Sequence, residues 1–105
     1  MSKQYIYIVQ ALLEPSKCKI GKTNDLERRL KEYNNMTGKS KENIYQYLFT
    51  CEVKDAEDIG YCIIGRFLMY KVDKEADTFF LNSHLLKDYV NFIKGHRLFE
   101  KEIKR

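Results

Sequence analysis

Near the N-terminus, Tyr5 to Leu12 (Y-I-Y-I-V-Q-A-L) sets aromatic and β-branched side chains side by side with one polar interruption. Such a run favours the pleated strand and predicts burial on much of both faces. Glu14-Pro15-Ser16-Lys17 follows with turn chemistry, Pro15 fixing one backbone angle. Cys18-Lys19-Ile20-Gly21 then reads as a short returning strand. A strand, a tight connection and a strand predict an N-terminal β-hairpin, and the rest of the chain has to pack around it.

A helix is predicted next. Asn24 is a good N-cap and Glu27 lies three residues on, as a capping box requires. The helix is expected from about Asp25 to Tyr33, with Leu26, Leu30 and Tyr33 as its buried stripe. At about 100° per residue, Arg29 falls on the flank of that stripe, about 60° from Leu26. Arg28 points to the opposite side, toward solvent. Residues 36–42 read as a polar loop containing Gly38, and Asn43 to Val53 as another strand. A second helix is expected from Asp55 to about Tyr70, with Ala56, Ile59, Ile63, Phe67 and Tyr70 inward despite Gly60 and Gly65. After a polar connection over Val72 to Glu75, Thr78 to Leu81 reads as a short extended piece. Asn82 or Ser83 caps a third helix with Leu85, Leu86, Tyr89, Phe92 and Ile93 inward and Gly95 as its stop. The order β-β-α-β-α-(β)-α predicts an α+β domain with a small sheet and helices against it.

The 105 residues suffice for one compact domain and not two. A single domain is expected over 1–95, followed by a basic tail over 96–105 whose Leu98, Phe99 and Ile103 give it an apolar side for docking on the domain or a partner. Apolar residues at 44% and charged residues at 32% suit a folded globular chain rather than a disordered one. No apolar stretch approaches the roughly 20 residues that span a membrane, and no signal-peptide pattern opens the chain. A cytoplasmic or nuclear, non-secreted location is therefore expected. Cys18, Cys51 and Cys62 are odd in number and form no CxxC pair, which argues against a disulfide framework or a zinc knuckle. The net charge of +4 is uneven: residues 1–41 carry 9 basic and 4 acidic groups, residues 42–80 carry 4 and 8, and residues 81–105 carry 6 and 3. The basic first third is compatible with a polyanion such as nucleic acid.

Taken together, Tyr5-Ile6-Tyr7, Lys19-Ile20-Gly21 and the string Lys22-Thr23-Asn24-Asp25-Leu26-Glu27-Arg28-Arg29-Leu30 resemble the GIY-YIG nuclease superfamily. They are similar to the small Lys-Ile-Gly branch found in phage, viral and microbial proteins. Asp55 to Ile59 resembles the start of that family's second helix, and the match covers most of residues 4–93. The resemblance implies a small central antiparallel β-sheet that opens with the hairpin and is flanked by three α-helices. It also implies metal-dependent hydrolysis of DNA phosphodiester bonds, with Mg²⁺ or Mn²⁺ as cofactor.

The resemblance gives residues their roles. Tyr7 is the expected base or water-orienting group; a free Tyr has a pKa of about 10, so it needs a nearby cation or metal. Lys19 on the partner strand is the expected cation. Arg29 takes the family's Arg position, the one the helix geometry selects independently, and would grip the scissile phosphate. Tyr33, one turn on, is a phosphate or Arg29 partner or a core residue. Lys17, Lys22 and Arg28 are candidates for contacts with backbone phosphates.

The metal-binding Glu of the family aligns with Gly60, and a position that often holds His aligns with Ile64. Sliding the register brings Glu57 to the metal position instead, and Glu75 is a further acidic candidate. His84 and His96 read as surface histidines. The Gly60 alignment raises an alternative: a catalytically degenerate member that binds nucleic acid or a protein without cleaving. A domain this small has to recognise nucleic-acid structure, form a homodimer, or rely on a protein partner.

Overall fold

The computed structural model describes residues 2–36, 44–72 and 77–104. Five strands, all paired antiparallel, make one sheet: β1 (Gln4–Ala11), β2 (Lys17–Thr23), β3 (Tyr45–Val53), β4 (Thr78–Phe80) and β5 (Phe99–Glu102). Their order is β4-β2-β1-β3-β5. Three helices, α1 (Leu26–Met36), α2 (Ala56–Arg66) and α3 (Ser83–Gly95), flank the sheet. The α+β expectation with an antiparallel sheet thus holds. The expected loop over 36–42 and Glu75 lie largely or wholly outside the described residues.

The hairpin forms because β1 is apolar enough to be central. Ile6, Tyr7, Ile8 and Val9 are almost completely buried, and their neighbours β2 and β3 use both of the strand's edges. Ile6 and Ile8 join Cys18, Ile20, Phe49, Cys51 and Val53 on one face, against Ile59 and Ile63 of α2 and Leu85, Tyr89 and Ile93 of α3. Tyr7 and Val9 face the other way, packed with Leu26 and Tyr33 of α1. The sheet therefore separates a large core from a small tyrosine-rich one.

A bulge decides who enters the smaller core. Ile8 pairs with Phe49 but Val9 pairs with Tyr47, so Leu48 is an extra residue in β3. An extra residue inverts the alternation beyond it. Phe49, Cys51 and Val53 face α2 and α3, whereas Tyr45 and Tyr47 turn to α1. The Tyr47 hydroxyl then donates to the Leu26 carbonyl at 2.8 Å, tying β3 to the first turn of α1.

Three boundaries differ from expectation. Asp25, not Asn24, caps α1: its carboxylate accepts the Arg28 N–H at 3.1 Å, and its carbonyl accepts the Arg29 N–H. Asn24 is left to accept from the Arg28 guanidinium at 2.8 Å. The second helix stops at Arg66 instead of reaching Tyr70. Phe67 is drawn into the core, its ring centroid 4.7 Å from that of Tyr89, and a 3-10 turn over Leu68–Tyr70 follows. A 3-10 turn brings i and i+3 onto one side, so Tyr70 stays with Phe67 as the helical stripe required. Finally, the segment expected as a basic tail supplies β5, paired with Cys51, Glu52 and Val53. No helix among the described residues is long and apolar enough to cross a membrane.

Burial also fixes the cysteine chemistry. Desolvation in the large core pushes the Cys18 and Cys51 thiols up to about 12 from an ordinary 9.0. The folded state keeps both protons where the unfolded chain releases them. This contribution to stability is fully present below pH 9.0 and is lost as pH rises toward about 12. We predict that a thiol-specific reagent at neutral pH labels only the half-buried Cys62 of the folded protein. Cys18 and Cys51 should react at the rate of unfolding; rapid labelling of three thiols would contradict this packing.

Candidate active site

β4 pairs with Lys17, Cys18 and Lys19, and the Ile20 N–H bonds the Asp77 carbonyl. From Gly21 on, no described strand covers the outer edge of β2. Residues from both faces of the sheet meet at this gap. A cavity of about 390 Å³ lies there, lined by Tyr7 and Gly21 of the hairpin, Arg29 of α1, and Glu57, Gly60 and Tyr61 of α2, among others.

Tyr7 is the centre of the arrangement. It sits directly across from Gly21 in the β1–β2 register. A Cβ on Gly21 would lie 2.5 Å from the Tyr7 hydroxyl oxygen and 2.7 Å from its ring carbon Cζ. Only glycine lets the ring lie across the partner strand. The Tyr7 hydroxyl accepts the Arg29 Nε–H at 3.2 Å and lies 2.8 Å from the Tyr33 hydroxyl. Its ring is met by Tyr33 edge-on, with centroids 6.0 Å apart, and by Tyr47 at 5.3 Å.

Arg29 is held on three sides. Beyond the bond to Tyr7, its Nη1 bonds Glu32 at 3.1 Å, and its guanidinium carbon stands 4.9 Å from the centre of the Tyr33 ring. Nη2 has no hydrogen bond among the described residues. The bond to Tyr7, more than any other cause, raises the Arg29 pKa further above its already high value. Burial chiefly, and then the bond to Tyr7, raises the Tyr33 pKa well above the usual tyrosine range. Tyr33 therefore keeps its proton at any working pH.

The other sequence-selected residues distribute around this centre. Lys19 stands opposite Val9 rather than Tyr7 and pairs with Asp77 at 3.8 Å. The cation bonded to the Tyr7 hydroxyl is thus Arg29. Lys22 lines the cavity and has no ion-pair partner among the described residues. Lys17 lies farther along β2, opposite Phe80, and pairs with Glu14 at 3.8 Å. Arg28 is exposed on the outer side of α1, 3.8 Å from Glu32. Neither Lys17 nor Arg28 lines the cavity. His84 pairs with Asp88 at 3.5 Å, while His96 accepts the Leu98 N–H, so neither is part of this site.

Glu57 and Gly60 both line the cavity, as i and i+3 on a helix do. Glu57 is exposed and carries no ion pair among the described residues. Asp77 and Tyr61 also line the wall, although sequence reasoning singled out neither. Tyr61 was recoverable in principle, since it is one turn beyond Glu57. Asp77 was not, because its position depends on how β4 meets β2.

The Tyr7–Gly21 contact gives a direct test. Gly21→Ala should destabilise the protein by about 1–3 kcal/mol in urea unfolding, as overpacking does. The cost should shrink in a Tyr7→Phe background, which lacks the nearest atom. Equal costs in both backgrounds would mean that the ring does not set the requirement for glycine.

The resemblance seen in the hairpin and first helix can be compared with known proteins. No curated protein and no solved structure matches the chain. Residues 4–94 match the family model described as the T5orf172 domain. That domain is found in phage and bacterial proteins and is related to nuclease-like folds of the GIY-YIG and HNH types. Because the match runs from the first residue of β1 into the last turn of α3, the chain belongs to the T5orf172 domain family, which points to a nuclease-like or DNA-binding domain.

Proposed function

We propose that this domain binds DNA at the β2 edge and hydrolyses its phosphodiester backbone in the manner of the GIY-YIG nucleases. The observation that carries the reading is the hydrogen-bonded set Arg29–Tyr7–Tyr33 at the wall of a cavity whose other side is α2. Arg29 holds the scissile phosphate through Nη2 and stabilises the charge that builds on it as the attacking oxygen arrives. Arg29 donates to the Tyr7 oxygen, and in this reading Tyr33, which keeps its proton and lies 2.8 Å away, donates to it as well. With two donors on its oxygen, Tyr7 directs its own O–H into the cavity. There the O–H donates to the oxygen of the attacking water and orients it, and the proton that the water loses passes to a non-bridging phosphate oxygen of the substrate. Lys22 provides further attraction for the phosphate backbone.

The residues present fit a Mg²⁺ or Mn²⁺ ion in a restricted way. Such ions are commonly held by one or two carboxylates plus water and substrate phosphate. Glu57 offers one exposed carboxylate on the cavity wall, and among the described residues no group of three acidic, His or Cys side chains forms a fuller cage. When bound, the ion would supply Lewis-acid help at the leaving oxygen.

Gly60 favours a second reading, in which the domain binds DNA but cuts poorly or not at all. A Cβ at position 60 would meet nothing within 4 Å. The backbone therefore has room to start a side chain at this cavity position, and the chain carries no carboxylate there.

Incubation of plasmid, branched and single-stranded DNA with Mg²⁺ or Mn²⁺ separates the readings. For an active nuclease we expect cleavage by the wild type that Arg29→Ala lowers by about a hundredfold or more. Arg29→Lys should not restore it, because an ammonium cannot bond Tyr7 and phosphate as a fork does. For a binding domain we expect salt-sensitive association without cleavage, and a gain of metal-dependent cutting in Gly60→Glu. Failure of the wild type to bind any DNA at low salt would exclude both.

A further inference from the structure

The cavity has a chemistry that phosphate binding alone does not use. One wall is apolar: Ile20, Ile64 and Phe79 line it, with Tyr61 at the rim. Tyr61 is 66% exposed, unusual for an aromatic side chain that lines a concave site. It stands at the head of an exposed stripe, with Ile64 and Leu68 three and seven residues on and Met69 beside them. Next to Tyr61, Gly60 leaves the helix surface bare, with open space where a side chain would stand. A flat apolar face can therefore approach α2 closely at this point.

Cations adjoin this apolar wall. Lys22 has no ion-pair partner among the described residues, and Arg29 keeps Nη2 without a hydrogen bond. Among the described residues two acids also line the cavity, but Asp77 is engaged by Lys19 at 3.8 Å and Glu57 is the other. The ligand that fits has a flat apolar face joined to an anionic group, which describes a nucleotide. In a duplex the faces of the bases are hidden in the stack, and only edges and phosphates are presented. A base can reach Tyr61 only if it is unpaired.

We infer that the slot beside Gly60 receives one unpaired nucleobase, stacked on Tyr61, while its phosphate lies against Lys22 and Arg29. This makes the domain selective for single-stranded, bulged or splayed nucleic acid over continuous duplex. The inference rests on the nucleic-acid reading above. The volume of about 390 Å³ is within the range of small-ligand sites, about 300–1,000 Å³.

Fluorescence anisotropy with a metal chelator present measures binding without cleavage. The probes are a single strand, the same sequence as a duplex, a duplex with one extrahelical base, and that duplex with the extrahelical base removed to leave an abasic residue. The wild type should favour the single strand and the extrahelical base over the duplex and the abasic probe. Tyr61→Ala should weaken binding of the two favoured probes about ten- to a hundredfold and barely change the other two. Tyr61→Phe, which keeps the ring, should behave as wild type. Gly60→Leu fills the slot from a Cβ that meets nothing within 4 Å, so it should match Tyr61→Ala while leaving thermal stability intact. A 2-aminopurine at the extrahelical position should be quenched by the wild type and not by Tyr61→Ala.

The inference is overturned if Tyr61→Ala and Gly60→Leu bind all four probes as the wild type does, while Lys22→Ala and Arg29→Ala weaken them all. The nucleic-acid reading would then stand, and the exposed stripe would be left to a protein partner. No binding of the wild type to any probe overturns both.

Discussion

The contact of the Tyr7 ring with Gly21 organises the site. A buried tyrosine in a central strand normally extends into the core and ends among apolar groups. Here the partner strand offers no side chain at the facing position, so the ring lies across it and its hydroxyl reaches the cavity. A buried hydroxyl requires partners, and α1 supplies two of them, Tyr33 and Arg29. The orientation of α1 is set in turn by the bond from Tyr47 to the Leu26 carbonyl and by the packing of Leu26 and Tyr33 on the sheet. A glycine thus positions a phenol, and the phenol positions an arginine.

The geometry joins two faces of a sheet that ordinarily do not communicate. Arg29 belongs to the helix on one side, and Glu57, Gly60 and Tyr61 to a helix on the other. They reach one cavity where, among the described residues, β4 pairs with β2 only as far as Lys19 and no strand follows beside Gly21. An edge left open in this way is ordinarily a hazard for intermolecular pairing. At this edge it is shielded by the side chains that form the cavity.

Much of this was legible in the sequence, for local reasons. The hairpin announces itself in the density of β-branched and aromatic residues and in the turn residues after them. Helical spacing separated Arg29 from Arg28, and the structure turns Arg29 to Tyr7 and Arg28 to Asn24 while both reach Glu32. The elements that were not legible depend on tertiary structure. Phe99-Glu-Lys-Glu102 has no strand pattern of its own and becomes β5 because β3 has a free edge. The bulge at Leu48 leaves no mark in an unbroken run from Tyr45 to Val53, yet it turns Tyr45 and Tyr47 toward α1. Asn24 and Asp25 are equally good caps on paper, and only the path of the chain out of β2 distinguishes them. The choice that the sequence posed between Glu57 and Gly60 is less sharp in three dimensions, because one helical face carries both.

The bare helix surface at Gly60 has a consequence for how such a domain can evolve. A position whose Cβ would touch nothing does not need glycine for packing, and glycine there even costs the helix about 1 kcal/mol relative to alanine. Stability therefore cannot be what keeps glycine at this position, and it would not resist the arrival of a carboxylate. Selection on position 60 is free to act through ligand and chemistry alone. Position 21 is the opposite case, since any side chain there collides with Tyr7. The two glycines make the scaffold separable: one is frozen by the fold, and the other can change the chemistry of the cavity wall without refolding the protein.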